Sequence, residues 1–337
     1  MTKEIVSIIM TAFNEEKYIA QAIDSILSQS YENFELIIVD DGSTDKTPEI
    51  INSYSDERVR VFISSENQGV GAAHAFAIQQ AKGELIAIAD ADDIHHPNRI
   101  SKQVSYLNDN KEIGVVDCFV EYFADNEEIK SSSRYSYITN FRQKHINRIV
   151  TPEQYERSLY WFCSVVHSAS MYYKNLVTPF NYSDLTVIED YEIFYKMNKS
   201  GVKFGKVPEV LVDVRITSNS TTLAQNEVLM RNFMVIKKEE IASLIENNTD
   251  IYIWGTGQGG IDVAKLLSEK SIKISGFLEN NKNKFGELIA GHYVADYKNI
   301  DYKKSGILIV SSIGKFEIVE QLESLGLREF SDFIVIL

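Results

Sequence analysis

The sequence predicts an α/β protein with two domains: a mostly parallel, doubly wound sheet with helices on both faces, followed by a smaller α/β domain. Two alternations of strand-like and helical patterns, over residues 4–123 and 249–337, support this prediction. The strand-like runs are continuously apolar, as in parallel sheets that are covered on both faces. With 337 residues, 44% of them hydrophobic, the chain is long enough to bury two cores.

The first domain begins with a regular succession of strands and helices. Gly83 is expected to end its third helix, and Pro97 to begin its fourth. The predicted elements are strands over 4–11, 35–40, 58–64, 84–90 and 113–123, and helices over 18–27, 47–54, 70–82 and from 97. Between 124 and 240 the pattern loosens into loops, aromatic clusters and two or three helices. We place the first domain at 1–222.

The second domain is predicted at 249–337, after a helical linker at 223–248. Its first strand ends in a GTGQGG turn that fits GxGxxG, and Glu279 lies close to the distance expected for an acid that binds ribose. Small domains also use this turn only to pack a helix against a strand, and this domain lacks the length of a full dinucleotide-binding domain. We therefore do not expect dinucleotide chemistry here.

Composition narrows the classes of function. The net charge of -14 argues against nucleic-acid binding, because phosphate contacts need a basic face. Cys118 and Cys163 stand alone, which fits a reducing compartment and excludes a disulfide framework. No apolar run approaches the length of a membrane span, and the N-terminus lacks a signal-peptide pattern. We expect a cytoplasmic protein.

The run LIAIADADD, residues 85–93, delivers three carboxylates at the end of a buried strand. Asp90, Asp92 and Asp93 would repel one another at short range, which makes a divalent cation their natural partner. Hard oxygen ligands without Cys or His favour Mg²⁺ or Mn²⁺ over Zn²⁺. The alternative is a solvated, Asp-rich turn before the next helix, and Asp93 could be only a helix-leading acid.

Polar clusters end three of the predicted strands. They are Thr11 to Asn14, followed by Glu15, then Asp40 to Ser43, and Asp90 to Asp93. Open α/β sheets bind ligands at the carboxyl ends of their strands, so three such clusters describe a site. A carboxylate of the second cluster could accept the imide N–H of uracil, and Phe13 could stack on the base.

Several other residues admit both a structural and a functional interpretation. Glu189 and Asp190 begin a helical pattern, where acids are common, but transfer of a sugar to a hydroxyl would require a base. His167 lies in a strand-like segment and could contact a diphosphate, and Trp161 could stack on a sugar, although core packing is the usual role of a Trp. His95 and His96 are expected to belong to a loop.

A basic segment with aromatic residues spans 134–148. In so acidic a chain, it could meet an anionic acceptor or a membrane surface; an ordinary solvated surface is the alternative. Its cations are Arg134, Arg142, Lys144 and Arg148, and its aromatic residues include Tyr135, Tyr137 and Phe141.

Residues 3–222 resemble family 2 glycosyltransferases of the GT-A fold. The resemblance is carried by VSIIMTAFNEEKYIAQAIDSILSQSYENFELIIVDDGSTDKT, NQGVGAAHAFAIQQAKGELIAIADADD and IEDYEIFYKM, in this order. It implies a metal-dependent, inverting enzyme that uses a nucleotide sugar, most often UDP-linked. By position, it places Thr11, Phe13 and Asp41 around the base and ribose, and Asp90 at the nucleotide sugar.

The resemblance also makes Asp92 the chief metal ligand and Asp190 the general base of a single displacement. Where the family often has an Arg-Asn pair, this chain has His74 and Ala75. A protonated His74 could replace the usual donor contact. The QxxRW motif and membrane helices of processive synthases are absent, which suggests transfer of one sugar.

The second domain resembles small Rossmann-like domains attached to sugar-modifying enzymes, so we expect it to serve assembly, docking or regulation, with a homo-oligomer as one outcome. The expected partners of the whole protein are a nucleotide sugar and a glycan, lipid-linked or protein-linked acceptor, with peripheral contact to the inner membrane face. Two alternatives stay open: a non-catalytic nucleotide-sugar-binding scaffold and a sugar-1-phosphate nucleotidyltransferase. The second of these would need a Gly-rich, Arg-containing loop where this chain has TAFNEE.

Overall fold

A computed structural model describes residues 4–180, 188–218 and 226–337 of the chain. The chain divides into two compact units, Met1–Ser220 and Thr221–Leu337. Among the helices within the described ranges, none is both long enough and apolar enough to cross a membrane.

The first unit is built on one curled sheet. Its strands are β1 (Val6–Ala12), β2 (Phe34–Asp40), β3 (Val59–Ile63), β4 (Leu85–Asp90), β5 (Ile94–His95), β6 (Ile113–Ala124), β7 (Met171–Tyr173) and β8 (Lys203–Ile216), in the order β3-β2-β1-β4-β7-β6-β8-β5. The four strands from β3 to β4 are mutually parallel. β7 is antiparallel to both neighbours, β6 and β8 are parallel, and β5 is antiparallel to β8.

Helices cover both faces of this sheet, as predicted. Alternate residues of β1 belong to different cores: Ile8 packs in the cluster that contains Ile23, whereas Ile9 packs in the cluster that contains Ala77. The helices are α1 (Ile19–Leu27), α2 (Thr47–Asn52), α3 (Val70–Gln80), α4 (Arg99–Asp109), α5 (Glu127–Lys130), α6 (Ser133–Tyr137), α7 (Gln143–Ile146), α8 (Pro152–Leu159), α9 (Lys174–Val177) and α10 (Glu189–Lys199).

Two short helical turns and two strands depart from the sequence-based assignment. A π-helical turn, Ile138–Arg142, joins α6 to α7. The segment around His167, predicted as a strand, is a 3-10 turn over His167–Ala169 that precedes β7. β5 separates the acidic run from α4, and β8 lies in the region where the sequence pattern loosens. β5 pairs with β8, and β8 pairs with β6 along most of its length, and local periodicity does not reveal such long-range pairing.

The second unit contains a separate sheet. Its strands are β9 (Asp250–Trp254), β10 (Gly276–Glu279), β11 (Leu288–Ile289), β12 (His292–Asp296), β13 (Ser305–Ile309) and β14 (Phe333–Val335), in the order β11-β12-β10-β9-β13-β14. Only the β11–β12 pairing is antiparallel among these described strands. The helices are α11 (Asn226–Ile236), α12 (Lys238–Asn247), α13 (Gln258–Glu269) and α14 (Lys315–Ser324), with 3-10 turns at Lys282–Lys284 and Tyr297–Asn299.

The predicted helical linker is two helices rather than one. α11 and α12 meet at Lys237, whose ammonium donates to the carbonyls of Val335 and Ile336 at 2.7 and 3.1 Å. α11 packs on α13, and α12 packs on β13 and β14. Within the described residues, both helices therefore belong to the second unit.

The GTGQGG turn is closely packed at two of its glycines. A Cβ on Gly255 would lie 2.1 Å from the Val310 carbonyl oxygen, and a Cβ on Gly260 would lie 2.0 Å from the Gly255 carbonyl oxygen. Glu279 accepts a hydrogen bond from the Thr256 hydroxyl at 2.7 Å, and Lys284 donates to the same hydroxyl at 2.8 Å. The acid expected at a ribose is thus bonded within the unit.

Candidate functional site

The three strand-end clusters of the first unit meet at one edge of its sheet. β1 lies between β2 and β4, with Ala12 opposite Asp40 and Thr11 opposite Asp90. Because the three strands are parallel and in register, the residues that follow them emerge side by side. The loops are tied together: the Asn14 amide donates to Ser43 Oγ at 2.8 Å, and Asn14 Oδ1 accepts from the Thr44 amide at 2.8 Å.

The acidic cluster lies at this edge. Asp90, Asp92 and Asp93 each offer a carboxylate oxygen, and these oxygens lie within 4.8 Å of one another. Burial, together with the charges of Asp92 and Asp190, raises the pKa of Asp90 to about 7. Burial also raises the pKa of Asp92. The cluster therefore holds more negative charge than its surroundings compensate.

Asp93 has a different role from its two neighbours. It is 1% exposed, and its two carboxylate oxygens accept hydrogen bonds from Ser168 Oγ at 2.6 Å and from the Arg215 amide at 2.9 Å. It thereby joins the end of β4 to the 3-10 turn and to β8. Asp93 is a buried cross-link rather than a helix-leading acid, which leaves Asp90 and Asp92 facing the site.

Arg215 is a site residue that sequence reasoning missed. Its guanidinium donates to the Asp92 carbonyl oxygen at 2.8 Å and lies 4.4 Å from the ring centre of Tyr18 and 4.5 Å from that of Phe123. Its positive charge lowers the pKa of Asp92, against the larger effect of burial. No local pattern marks it, because β8 reaches the cluster only through long-range pairing.

Glu15 adds a further acid from the loop after β1. Burial and the charges of Asp92 and Asp90 raise its pKa to about 7. Its amide donates to Thr47 Oγ1 at 2.8 Å, which fixes the loop against the start of α2. The structure thus brings Glu15 to the acidic cluster, although 75 residues separate it from Asp90 in the chain.

The residues expected around a nucleotide base occupy the β1 and β2 ends. Phe13 is 44% exposed, so a face of its ring is open to a ligand, and Thr11 is half-buried. Asp41 is buried, and its carboxylate oxygens accept from the amides of Gln68 at 2.9 Å and Gly69 at 2.8 Å. Asp41 therefore fixes the loop before α3, and its contact with a base stays a prediction.

Glu189 and Asp190 begin α10, directly after Ile188 in the left-handed conformation with φ 60°. Asp190 Oδ1 accepts from the Tyr191 amide at 2.7 Å, and Cys163 Sγ lies 3.8 Å from Asp190 Oδ2. Burial raises the pKa of Asp190; burial and the charge of Asp190 raise that of Glu189 to about 8. The α10 acids are thus electrostatically coupled to the strand-end cluster.

The contact of a protonated His74 with the donor stays a prediction, and the surroundings of this residue do not favour it. His74 is 1% exposed, and burial together with the positive charge of His167 lowers its pKa to about 3, so the ring is neutral at pH 7. The two rings meet edge to face, with centroids 4.9 Å apart. Burial lowers the pKa of His167 to about 4, and its ring also contacts Phe194. This histidine pair is a packing element behind the site.

Trp161 is 6% exposed, and the guanidinium of Arg157 lies over its ring at 4.7 Å, which agrees with the core packing weighed for it in the sequence. Its contact with a sugar stays a prediction. His95 ends β5, which differs from the predicted loop, whereas His96 follows β5 outside any strand or helix, as predicted. They contact Arg99 at 2.7 Å and Asp213 at 3.1 Å respectively, away from the metal-ligating oxygens.

Asp90 and Asp92 fit a divalent cation. Their oxygens lie close together, the cluster contains no nitrogen or sulfur ligand among the residues that the structure describes, and Asp93 holds both flanking elements in place. A cation would relieve the repulsion that raises the pKa of Asp90, and an all-oxygen donor set suits Mg²⁺ or Mn²⁺.

Solved structures and curated proteins resemble this chain. TarS of S. aureus (residues 1–349) superposes with a TM-score of 0.53 at 19% identity, over 70% of this chain and 65% of that one. The mannosyltransferase PcManGT of Pyrobaculum calidifontis, in complex with GDP-Man and Mn²⁺, gives 0.53 at 20% identity, over 70% and 64%. At these identities the likeness concerns the fold, which is the GT-A type.

Relatives at higher identity extend over most of the chain. An uncharacterized glycosyltransferase of Rickettsia typhi is 31% identical over 290 residues, covering 81% of this chain and 87% of that protein. Another, of Methanocaldococcus jannaschii, is 31% identical over 235 residues, covering 67% and 75%. A model described as C2185-like, N-terminal, matches residues 247–331. The model of glycosyl transferase family 2 matches residues 7–175, across the three strand-end clusters, and the chain belongs to this family.

Proposed function

We propose that the protein is a metal-dependent, inverting glycosyltransferase that moves one sugar from a nucleotide sugar, UDP-linked, to an acceptor hydroxyl. The observation that carries this proposal is the proximity of two groups of acids with different surroundings. The charge of Asp190, at the start of α10, raises the pKa of Asp90 at the end of β4. This interaction supports a base and a cation site close to each other, as a single displacement requires.

The division of labour follows from the contacts of each acid. Asp190 is held by the Tyr191 amide at one oxygen, and its burial raises its pKa toward the range of an effective base. In the proposed reaction it accepts the proton of the acceptor hydroxyl as that oxygen attacks the anomeric carbon. Asp92 and Asp90 would hold the cation. When bound, the cation would stabilise the negative charge on the departing diphosphate.

The donor and acceptor follow from neighbouring observations and from the family. Phe13 presents an exposed ring for a base, and Thr11 and Asp41 flank it. TarS is crystallised with UDP and with UDP-GlcNAc, which favours a UDP-linked hexose as donor. We infer an acceptor that is a glycan or a lipid-linked or protein-linked saccharide of a surface polysaccharide or glycoconjugate, met at the inner membrane face.

The test is nucleotide release from a panel of nucleotide sugars with Mn²⁺ and a panel of saccharide acceptors. We expect Asp190→Asn to lower the rate of transfer by about 10²-fold or more, because the acceptor proton loses its base. Asp109→Asn removes an exposed carboxylate at the end of α4 and serves as the matched control. NMR of the product should find the inverted anomer.

Three outcomes would contradict parts of this proposal. Full turnover by Asp190→Asn would remove Asp190 from the role of base. A product with retained configuration would exclude a single displacement. Binding of UDP-sugars without transfer to any acceptor would support the non-catalytic scaffold instead.

A further inference from the structure

A row of aromatic rings lies beside Asp190, on the helical segment that follows β6. Tyr137, Phe141 and His145 are spaced four residues apart along α6, the π-helical turn and α7, and Phe162 continues the row. Tyr137 and Phe141 stack with centroids 5.5 Å apart and planes at 22°, and Phe141 and His145 stack at 6.1 Å and 11°. His145 meets Phe162 at 5.5 Å. We call these four residues the aromatic row.

One end of the aromatic row lies close in the chain to a residue that contacts Asp190, the proposed base. Phe162 precedes Cys163, whose sulfur lies 3.8 Å from Asp190 Oδ2. At the other end the row is open to solvent, because Tyr137 is 40% exposed and Phe141 is half-buried. Rings packed only into a core would be covered along their whole length. Here three stacked rings begin in solvent, and Phe162, tilted by 56° to His145, ends the row one residue before Cys163, which contacts the residue expected to activate the acceptor hydroxyl.

Arg142 adds a positive charge to this surface. It follows Phe141 directly and is exposed, and the structure gives it no ion pair among the described residues. Tyr122, Cys163 and Asp190 raise the pKa of Arg142, so the guanidinium interacts electrostatically with the proposed base Asp190. Burial and the charge of Arg142 lower the pKa of Arg134, whose guanidinium donates to the Thr217 carbonyl oxygen at 2.9 Å. Arg134 and Arg142 thus place two positive charges on the helical segment that carries the row, and such charges attract an anion.

We propose that the aromatic row and Arg142 form the acceptor subsite, and that the acceptor is an anionic saccharide whose sugar ring stacks on the row while its carboxylate or phosphate binds Arg142. The proposal rests on the proposed function and specifies its acceptor. A planar guanidinium binds both anions in two-point fashion, and a sugar ring presents an apolar face to an aromatic ring. A neutral sugar would use only the rings.

The experiment measures saccharide binding directly, by saturation-transfer NMR on the full chain, with and without UDP and Mg²⁺. The probes are methyl β-glucuronide and glucose 6-phosphate, which separate a carboxylate from a phosphate, and the neutral methyl β-glucoside. We expect the two anionic sugars to bind more tightly than the glucoside. Arg142→Gln should weaken the anionic sugars by about tenfold or more and remove their advantage.

Matched variants separate charge from stacking. Arg148→Gln removes the same charge from the same basic segment and should leave the preference for anionic sugars intact. Phe141→Leu keeps an apolar side chain without the ring and should weaken all three sugars, whereas Phe76→Leu, the same change at a ring 39% exposed on α3, should not.

The proposal is overturned if the anionic sugars bind no better than the glucoside, or if none of the three sugars binds. It is also overturned if Arg142→Gln weakens UDP binding and leaves saccharide binding unchanged, since Arg142 would then belong to the donor site. If UDP does not bind, the proposed function is contradicted. The sugar binding measured without UDP then tests the acceptor subsite by itself.

Discussion

Both units carry acidic residues next to the ends of their strands, but the pKa values of these acids are shifted in opposite directions. In the first unit, burial is the largest cause that raises the pKa values of Glu15 and Asp90 to about 7 and that of Glu189 to about 8. In the second unit, partial burial of Glu279 is outweighed by hydrogen bonds from Thr256 and the Asn280 amide, which hold its pKa below the ordinary value.

This contrast in pKa distinguishes the acids of the candidate site in the first unit from Glu279, which has a structural role in the second. Glu279 has a hydroxyl at 2.7 Å and the Lys284 ammonium at 3.5 Å, so no ligand is needed to compensate it. The acids at the first sheet gather from three loops and raise one another's pKa values. A strand-end motif indicates binding when its polar groups lack compensation within the fold.

The largest effect that tests this contrast is on activity. We expect Asp92→Asn to lower transfer by about 10²-fold or more, because one of the two proposed metal ligands is lost. The corresponding change in the second unit, Glu279→Gln, should leave the rate near that of the wild type. The measurement is nucleotide release over a series of Mn²⁺ concentrations. Equal losses of transfer rate in the two variants would contradict the conclusion that only the acids of the first unit form a site.

The next effect is on stability and separates Asp93 from its neighbours. Asp93→Ala leaves Ser168 Oγ and the Arg215 amide without their buried acceptor, so we expect a loss of about 2–4 kcal/mol in the free energy of unfolding. Asp109→Ala, at an exposed position, is the control and should change stability by less than about 0.5 kcal/mol. Urea unfolding measures both. A small loss at Asp93 would return it to the group of acids that face the site.

A smaller effect is the pH dependence of stability without metal. The folded-state pKa of Glu189, about 8, exceeds the ordinary value of 4.5, so the stability it contributes is present at low pH and lost as the pH rises through 8. Between pH 6.5 and 8, His74 and His167, with pKa values of about 3 and 4, are neutral in the folded state, and the unfolded histidines lose their remaining charge equally in the wild type and in a Glu189 variant. The difference between the two proteins therefore reports Glu189.

We therefore expect the wild type to lose about 1.5 kcal/mol more than the Glu189→Gln protein between pH 6.5 and 8. Glu15 and Asp90, with folded-state pKa values of about 7, add to the loss in both proteins. Unfolding by urea at several pH values measures the difference between the two proteins. An equal loss in the two proteins would mean that Glu189 ionises normally in the folded state.

Sequence reasoning predicted the parts of this molecule that local pattern determines. β1, β2 and β4 are continuous apolar runs, and parallel strands in register must bring their terminal residues together, so Thr11, Asp41 and Asp90 were correctly expected at one edge. Whether an aromatic side chain packs into the core or faces the site was harder to predict. Trp161 is one of several aromatic residues in its segment, and packing buries it while its neighbour Phe162 joins the aromatic row.

Residues brought in by distant pairing were not predictable. Arg215 reaches the Asp92 carbonyl only because β8 pairs with β5 and β6, and β8 has register shifts relative to β6 that no periodicity encodes. Likewise, Arg142 appeared in the sequence only as one cation among four. Its position beside Asp190 depends on the helical turns that follow β6.

The smallest expected effect concerns the GTGQGG turn of the second unit, which we expect to pack a helix against a strand and to bind no ligand. A Cβ on Gly257 would meet nothing within 4 Å, so Gly257→Ala should change stability by no more than about 0.5 kcal/mol, whereas Gly260→Ala, whose Cβ would overlap the Gly255 carbonyl, should cost about 3 kcal/mol. NAD⁺ should raise the melting temperature of neither the wild type nor Gly257→Ala, because Glu279 is already bonded to Thr256. Thermal unfolding with and without NAD⁺ measures both effects. Stabilisation by NAD⁺ that Gly257→Ala abolishes would make this turn a second ligand site and end the contrast between the two units.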